Sequence, residues 1–312
     1  MKEKIHDLII IGGGPAGLSA GIYASRARLN VILFEKGMPG GQMLFTEVIE
    51  NFPGFSKPIG GIGLVDEMVK QAKEAGLKIE NDNILKVSHV HHQKHRFKIE
   101  CDSKKIYKTL SLIISTGARW KELGVPGESN LKGKGVSYCA TCDGPLFKER
   151  EIVVVGGGDK ALEEALYLTK FVKSIKLIHR RDQFRAIKEL QEKILANDKI
   201  TPVYNSVITE MSGKKLVEFV KVKNVKTGKI DTITCNGVFV LIGIEPNSEL
   251  LKEVVDMDDK GFIIVDSHAR TSQDGIYACG DVIKKDLYQI ATAVGEGATA
   301  AFNAQRYIDE IS

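Results

Sequence analysis

Two cysteines three positions apart, Cys139 and Cys142 in the run Cys139-Ala140-Thr141-Cys142-Asp143, are the side chains of this sequence whose type and spacing point most directly to chemistry. Thiols this close along a chain can close a small disulfide ring. Such a pair exchanges electrons by thiolate attack through a mixed disulfide, and a neighbouring acid or base must handle the thiol proton. Asp143, next in sequence, is the candidate for that proton. Zinc would need a second pair of Cys or His ligands at comparable spacing. Cys101, Cys235 and Cys279 each stand alone, so redox chemistry is favoured and no metal is expected. His89, His91, His92 and His95 lie among Lys94, Arg96 and Lys98 with partial alternation, which reads as an exposed β-ribbon rather than a metal site.

A reactive pair needs elements that bring electrons to it, and two glycine turns are suited to that. Gly12-x-Gly14-x-x-Gly17 follows the apolar run 8–11 and opens a helical pattern, the context in which such a motif binds a dinucleotide. The first glycine allows the tight turn and the second lets the backbone approach a pyrophosphate. The third lets helix and strand pack closely, while the helix N-terminus faces the phosphate charge. Glu35, roughly 20 residues on, supplies a carboxylate for ribose hydroxyls. The pattern returns as strand 152–155, Gly156-x-Gly158-x-x-Ala161, a helix over 160–171 and strand 175–178. Here the far end carries His179-Arg180-Arg181 and then Arg185, and guanidinium groups recognise a phosphate that a carboxylate would repel. The first turn therefore suits a ribose without a 2′-phosphate, and the second suits NADP. The alternative for the arginines is a solvated basic turn.

A repeat of this kind implies two nucleotide-binding domains in an α/β, Rossmann-like fold. Ser115-Thr116-Gly117-Ala118 and Ile242-Gly243-Ile244-Glu245-Pro246-Asn247 read as two crossings, so one domain is inserted into the other. The expected division is residues 1–118 and 248–312 for the first domain and 119–247 for the second. A length of 312 residues, 43% of them hydrophobic, accommodates both. The formal charge of +4 comes without a long basic block or a basic-aromatic stretch, which argues against nucleic acid. The run 8–11 is too short for a secretion signal, and no stretch approaches the roughly 18 apolar residues of a membrane helix, so a cytoplasmic location is expected. Trp120, near the first crossing, reads as a packing residue.

The ordered set Gly12-Gly13-Gly14-Pro15-Ala16-Gly17, Gly40-Gly41-Gln42, Glu50-Asn51-Phe52-Pro53-Gly54, Cys139 to Asp143, His179-Arg180-Arg181-Asp182-Gln183-Phe184-Arg185 and Gly280-Asp281 resembles the low-molecular-weight, bacterial-type thioredoxin reductases over essentially the whole chain. That resemblance implies a relay in which NADPH passes hydride to FAD, the disulfide Cys139–Cys142 is reduced next, and oxidised thioredoxin last. It implies FAD contacts at Gly12, Gly14, Pro15, Ala16, Glu35, Lys36, Gly40, Gly41, Gln42 and Asn51. Gly280, Asp281 at the ribityl chain, Gln289, Ile290 and Ala291 complete them. It implies NADPH contacts at Gly156, Gly158, Asp159, Lys160, His179, Arg180, Arg181 and Arg185. Cys142 would face the flavin, Cys139 would attack the partner and Asp143 would serve as general acid and base. A homodimer, and rotation of the inserted domain about crossings near Gly117 and Gly243, are also implied. The chain departs from the family pattern at Lys160 (usually a small hydroxyl residue), Tyr288 (commonly Arg), Ile290 (usually Ala) and Cys279 (usually Ala). A same-fold reductase with another electron donor, or with a peroxiredoxin-like or glutaredoxin-like partner, is the nearest alternative. A nucleotide-binding protein without turnover is a second, opposed by the intact cysteine pair, acid and glycine motifs.

Overall fold

The structure is a computed structural model that describes residues 5–46, 48–92 and 95–312. The side chains of His91, His92 and His95, in the expected histidine ribbon, lie outside the described residues. The chain divides into two compact units, Met1–Arg119 with Glu245–Ser312 and, between them in sequence, Trp120–Ile244.

The first unit opens with β1 (Ile5–Ile11), α1 (Pro15–Arg26) and β2 (Val31–Glu35), then α2 (Gly61–Glu74) and the strands β3 (Lys78–Asn81), β4 (Ile84–His92), β5 (His95–Cys101) and β6 (Ile106–Ile114). β7 (Ala118–Trp120) carries the chain into the second unit, which holds α3 (Glu128–Leu131), β8 (Val136–Ser137), α4 (Ala140–Asp143), β9 (Glu151–Val155), α5 (Asp159–Leu168), β10 (Ser174–Ile178) and α6 (Lys188–Leu195). It continues through β11 (Ile200–Val203), β12 (Ser206–Ser212), β13 (Phe219–Asn224), β14 (Ile230–Thr234) and β15 (Gly237–Val240). β16 (Ile244–Pro246) returns the chain, and β17 (Ile276–Ala278) and α7 (Ile290–Ile311) complete the first unit.

The first sheet runs β3-β2-β1-β6-β5-β4, with β17 also on β6. β1, β2, β3, β6 and β17 are parallel, while β4 and β5 fold back as an antiparallel ribbon. β1 reads Ile-His-Asp-Leu-Ile-Ile-Ile, and its last four residues are buried whichever face they occupy, as a central parallel strand covered on both sides requires. Leu8, Ile10 and Leu33 pack with α1, α2 and α7 on one face. Ile9, Ile11 and Phe34 pack on the other with the β4–β5 ribbon and the segment around Leu251 and Ile263. The second unit repeats the device with five parallel strands, β11-β10-β9-β15-β8, beside a three-stranded antiparallel sheet, β12-β13-β14. Trp120 stacks on Tyr138 with ring centroids 6.5 Å apart and belongs to the core of the second unit, so it does pack. β7 and β16 pair as a two-stranded ribbon. No helix among the described residues is long and apolar enough to cross a membrane.

Candidate redox centre and nucleotide sites

Cys139 and Cys142 are joined as a disulfide with Cα atoms 5.3 Å apart. The helical turn α4 makes this possible: Cys139 is its extended N-cap residue, and the turn brings Cys142 round beneath it. The Cys142 amide N–H donates to Cys139 Sγ at 3.2 Å. Ala140, between them, is fully buried among the residues of α5 and β9, which anchors the turn to the sheet. Asp143 closes the same turn, and burial pushes its carboxyl above the ordinary carboxylate range while a hydrogen bond from Ser137 opposes the rise. That bond, Ser137 Oγ–H to Asp143 Oδ2, is 2.6 Å long. Glu164 on α5 is a second acid held up by burial, with Lys160 and the Ala140 amide working the other way.

The first glycine turn lies between β1 and α1. A Cβ on Gly17 would stand on the carbonyl oxygen of Gly12, so helix and strand meet there only through glycine. Gly14, by contrast, has nothing within 4 Å of where a Cβ would be, the open space a phosphate needs. Pro15 starts α1, where a missing N–H costs nothing. Glu35 Oε2 accepts from the Gly13 amide at 2.7 Å and Oε1 from the Gly37 amide at 3.1 Å. Gly40, at φ 128°, donates to Gly13 O at 2.8 Å, and Gly41 follows at φ 57° with its position facing Gly14, so this second loop folds over the first. Gln42 donates to Ala118 O at 2.8 Å, and Asn51 donates to Gln289 Oε1 at 3.0 Å.

Residues from the far end of the chain arrive at the same place because α7 crosses α1 at Gly297, where a Cβ would meet the Ala16 backbone. Gly280 sits against Ala16 as well, which puts Asp281 beside the first turn of α1. Asp281 Oδ1 is buried without a hydrogen bond among the described residues, and Lys285 Nζ stands 3.2 Å from it. Lys285 is itself nearly buried and also pairs with Glu296 at 2.9 Å, whose Oε2 accepts from the Gly280 amide at 2.8 Å. Gln289 caps α7, Ile290 packs into the core of the first unit, and Lys36 and Ala291 are exposed.

The second glycine turn has the same form. Gly158 is open where a Cβ would stand, and Ala161 fills the third position, buried. His179 follows β10 with Nδ1 2.9 Å from Gly156 O. The basic loop after it is pinned by its backbone: Arg185 N–H donates to Gly157 O at 2.8 Å and Ile187 N–H to Asp159 Oδ1 at 2.8 Å. Phe184 and Ala186 are buried, so Arg180, Arg181 and Arg185 are presented outward on a fixed frame, exposed. Asp182, the acid within the run, is occupied by Lys226 at 3.1 Å. The structure thus gives Asp159 the work of clamping the loop.

The pyridine nucleotide-disulphide oxidoreductase family matches residues 6–297. Over 99% of its length the chain is 42% identical to the thioredoxin reductase of Listeria monocytogenes serovar 1/2a, covering 96% of that relative. It is 41% identical to the thioredoxin reductase of Bacillus subtilis, over 99% of this chain and 97% of that one. The crystal structure of thioredoxin reductase from Streptococcus pyogenes superposes with a TM-score of 0.93 at 42% identity, covering 98% of this chain and 99% of that one. The chain belongs to the pyridine nucleotide-disulphide oxidoreductase family, with the thioredoxin reductases.

Membership agrees with the fold, the recognised resemblance and an oxidoreductase activity, and implies use of a flavin and a nicotinamide nucleotide. Within this pyridine nucleotide-disulphide oxidoreductase, four residues near the sites escaped the sequence reading: Ser137, Glu164, Lys285 and Glu296. None forms part of a glycine or cysteine motif, and their only signal is a place in the folded structure. Cys279 is fully buried. Cys101 and Cys235 are buried too, with thiols that burial pushes up to about 12.

Proposed function

We propose that this chain is an NADPH-dependent thioredoxin-disulfide reductase, with FAD held by the unit that contains Gly12–Glu35 and NADPH by the unit that contains Gly156–Arg185. The observation that carries the reading is the pairing, in one unit, of a Cys139–Cys142 disulfide beside a half-buried acid with a glycine turn followed by three exposed arginines.

The open space at Gly14 and the buried Asp281 Oδ1, ion-paired with Lys285 but without a hydrogen bond among the described residues, fit a flavin dinucleotide whose pyrophosphate meets the turn and whose ribityl hydroxyls donate to the carboxylate. Glu35 would accept from the adenosine ribose, and Gly40, Gly41, Gln42, Asn51 and Gln289 would complete the holding set. When bound, the flavin supplies a two-electron carrier between nicotinamide and disulfide, chemistry that no side chain here offers. Gly156, Gly158 and Lys160 suit the pyrophosphate of the nicotinamide nucleotide, and Arg180, Arg181 and Arg185 suit a 2′-phosphate.

The reduced cysteine pair then acts on its partner. The Cys142 amide that donates to Cys139 Sγ stabilises negative charge on Cys139, which favours Cys139 as the thiolate that attacks. Attack forms a mixed disulfide and breaks the partner's S–S bond, and one partner sulfur leaves as a thiolate. Cys142 next attacks Cys139 Sγ, reforming the intramolecular disulfide and releasing the second partner sulfur. Two electrons and two protons pass from the pair to the partner. Asp143, whose carboxyl burial raises above the ordinary carboxylate range, is the group that would carry a proton at this centre. Gly117 and Gly243, both at positive φ in the two crossings, support a hinge between the units. A cytoplasmic homodimer completes the reading, and sedimentation of the purified flavoprotein checks the dimer.

The deciding experiment mixes the purified protein with oxidised thioredoxin and follows NADPH loss, with NADH and a Cys142→Ser variant alongside. Fast turnover with NADPH, slow turnover with NADH and none in the variant is the expected pattern. Turnover that persists in Cys142→Ser, or none with NADPH when chemically reduced enzyme also leaves thioredoxin oxidised, would overturn the reading.

A further inference from the structure

Ser137 lies at the end of β8, two residues before the redox pair, and is 4% exposed. Its hydroxyl makes two bonds. The oxygen accepts from the Cys139 backbone N–H at 3.2 Å, and the single proton goes to Asp143 Oδ2 at 2.6 Å in preference to the more distant Cys139 carbonyl at 3.4 Å. One small side chain thereby links the backbone of one cysteine to the acid that follows the other. β8 pairs with β15, Ser137 opposite Phe239, so the hydroxyl projects from a buried sheet rather than from a loop.

We propose that Ser137 is a positioning residue of the redox centre, holding the Asp143 carboxyl in the cysteine turn and setting how readily it gives up and regains its proton. This rests on the functional reading above, in which Asp143 handles the thiol proton. When the Cys139–Cys142 bond opens, the two electrons supplied by the proposed relay bring both sulfurs to the thiolate level, one of them as the leaving thiolate. The Asp143 carboxyl gives that sulfur its proton, and solvent later restores it. Burial alone favours the protonated carboxyl. A hydroxyl that donates to the ionised form restores reversibility, and the structure has both influences acting on Asp143 in opposite directions, burial the larger.

The neighbouring elements leave Ser137 in charge of that balance. α5 packs against α4 and brings Glu164 and Lys160, but Glu164 answers to Lys160, Glu163 and the Ala140 amide. The segment after Asp143, Gly144 to Phe147, carries no ionisable side chain.

The test is the pH dependence of kcat and kcat/KM with NADPH and oxidised thioredoxin in the holoenzyme, for wild type, Ser137→Ala, Ser137→Thr and Asp143→Asn. The alkaline limb that disappears in Asp143→Asn identifies the acid. Loss of the donated hydrogen bond should move that limb upward by about one pH unit or more in Ser137→Ala. Ser137→Thr, which keeps the hydroxyl, should return it towards wild type, and Ser137→Ala added to Asp143→Asn should shift nothing further. A uniform loss of rate at every pH with the limb unmoved would reduce Ser137 to a structural role and overturn the proposal, as would a limb that survives in Asp143→Asn. Circular dichroism checks folding, and Ser137→Gly carries the same expectation if Ser137→Ala does not fold. Should thioredoxin prove not to be the partner, the same limb is read with 5,5′-dithiobis(2-nitrobenzoate) as the disulfide, which separates failure of the functional reading from failure of this one.

Discussion

Gly12 N–H donates to Phe34 O at 2.8 Å in the first unit, and Gly156 N–H donates to Ile178 O at 3.1 Å in the second, so Glu35 and His179 occupy the same place in two copies of one βαβ device. The copies treat that place differently. Glu35 can only accept, and it takes the amides of Gly13 and Gly37. His179 turns inward, with Nδ1 at Gly156 O and Nε2 buried without a hydrogen bond among the described residues. On the proposed reading, recognition of a charged ligand moves off the strand end in the second unit and onto the loop behind it. There, backbone bonds from Arg185 and Ile187 hold the frame while the guanidinium groups remain outside. The backbone of the turn is common to both units, and what differs is the residue after the strand, which is Glu35 in one and the buried His179 in the other.

The sharpest way to break this comparison is at the third position of each turn. Gly17→Val would force a side chain onto the Gly12 carbonyl, and we expect the first unit to lose at least about 3 kcal/mol, seen as lost soluble yield or a collapsed melting transition. The corresponding change in the second unit, Ala161→Gly, should cost only about 1 kcal/mol, the ordinary penalty of glycine in a helix. Equal effects would mean that close contact with the Gly12 carbonyl is not what requires glycine at position 17.

Glu35→Arg gives the first unit the second unit's chemistry. It removes two charge-assisted bonds and should weaken FAD binding to the apoprotein roughly a hundredfold by fluorescence titration, with NADPH binding unaffected. A parallel fall in NADPH affinity would instead mark general damage. Arg181→Ala should lower the NADPH over NADH preference in kcat/KM by about tenfold, since one of several phosphate donors is lost, without changing the NADH value. A preference that does not move would leave the three arginines as a solvated surface.

The smallest effect concerns His179, whose imidazole burial holds below the ordinary 6.5 although Gly156 O and the Gln183 backbone favour the proton. The unfolded chain therefore binds a proton that the folded chain resists. Stability is full above that ordinary value and falls as pH drops through it, by less than about 1.4 kcal/mol per pH unit. His179→Gln should flatten that part of the stability curve in urea titrations between about pH 7 and about pH 5.

Much of this was legible in the sequence because the telling features are local. Glycines at Gly12, Gly14 and Gly17 and cysteines at Cys139 and Cys142 act through neighbours a few residues away, and their spacing survives in the text of the chain. The alternation of β-branched strands with helices shows the fold class for the same reason. Ser137 was not legible, because a serine two residues before a cysteine carries no signal until α4 turns Asp143 back towards it. Glu296 was missed because its bonds to Lys285 and the Gly280 amide depend on where α7 packs, and Lys285 because a lysine four residues after Asp281 belongs to no motif. Asp159, expected among the NADPH contacts, also accepts the Ile187 amide, a link across 28 positions that no local pattern announces.

The burial of Cys101, Cys235 and Cys279 has a consequence for fidelity. A protein whose trade is disulfide exchange risks exchanging with itself, trapping a reduced sulfur in a wrong cross-link. Here the three remaining thiols are shut away from solvent and held in the unreactive protonated form, so each catalytic cycle passes through one pair of sulfurs with no side branch. The same seclusion makes the chain self-reporting: alkylating reagents should find no accessible thiol in the oxidised native protein and two after reduction, which together record one electron pair delivered to the disulfide.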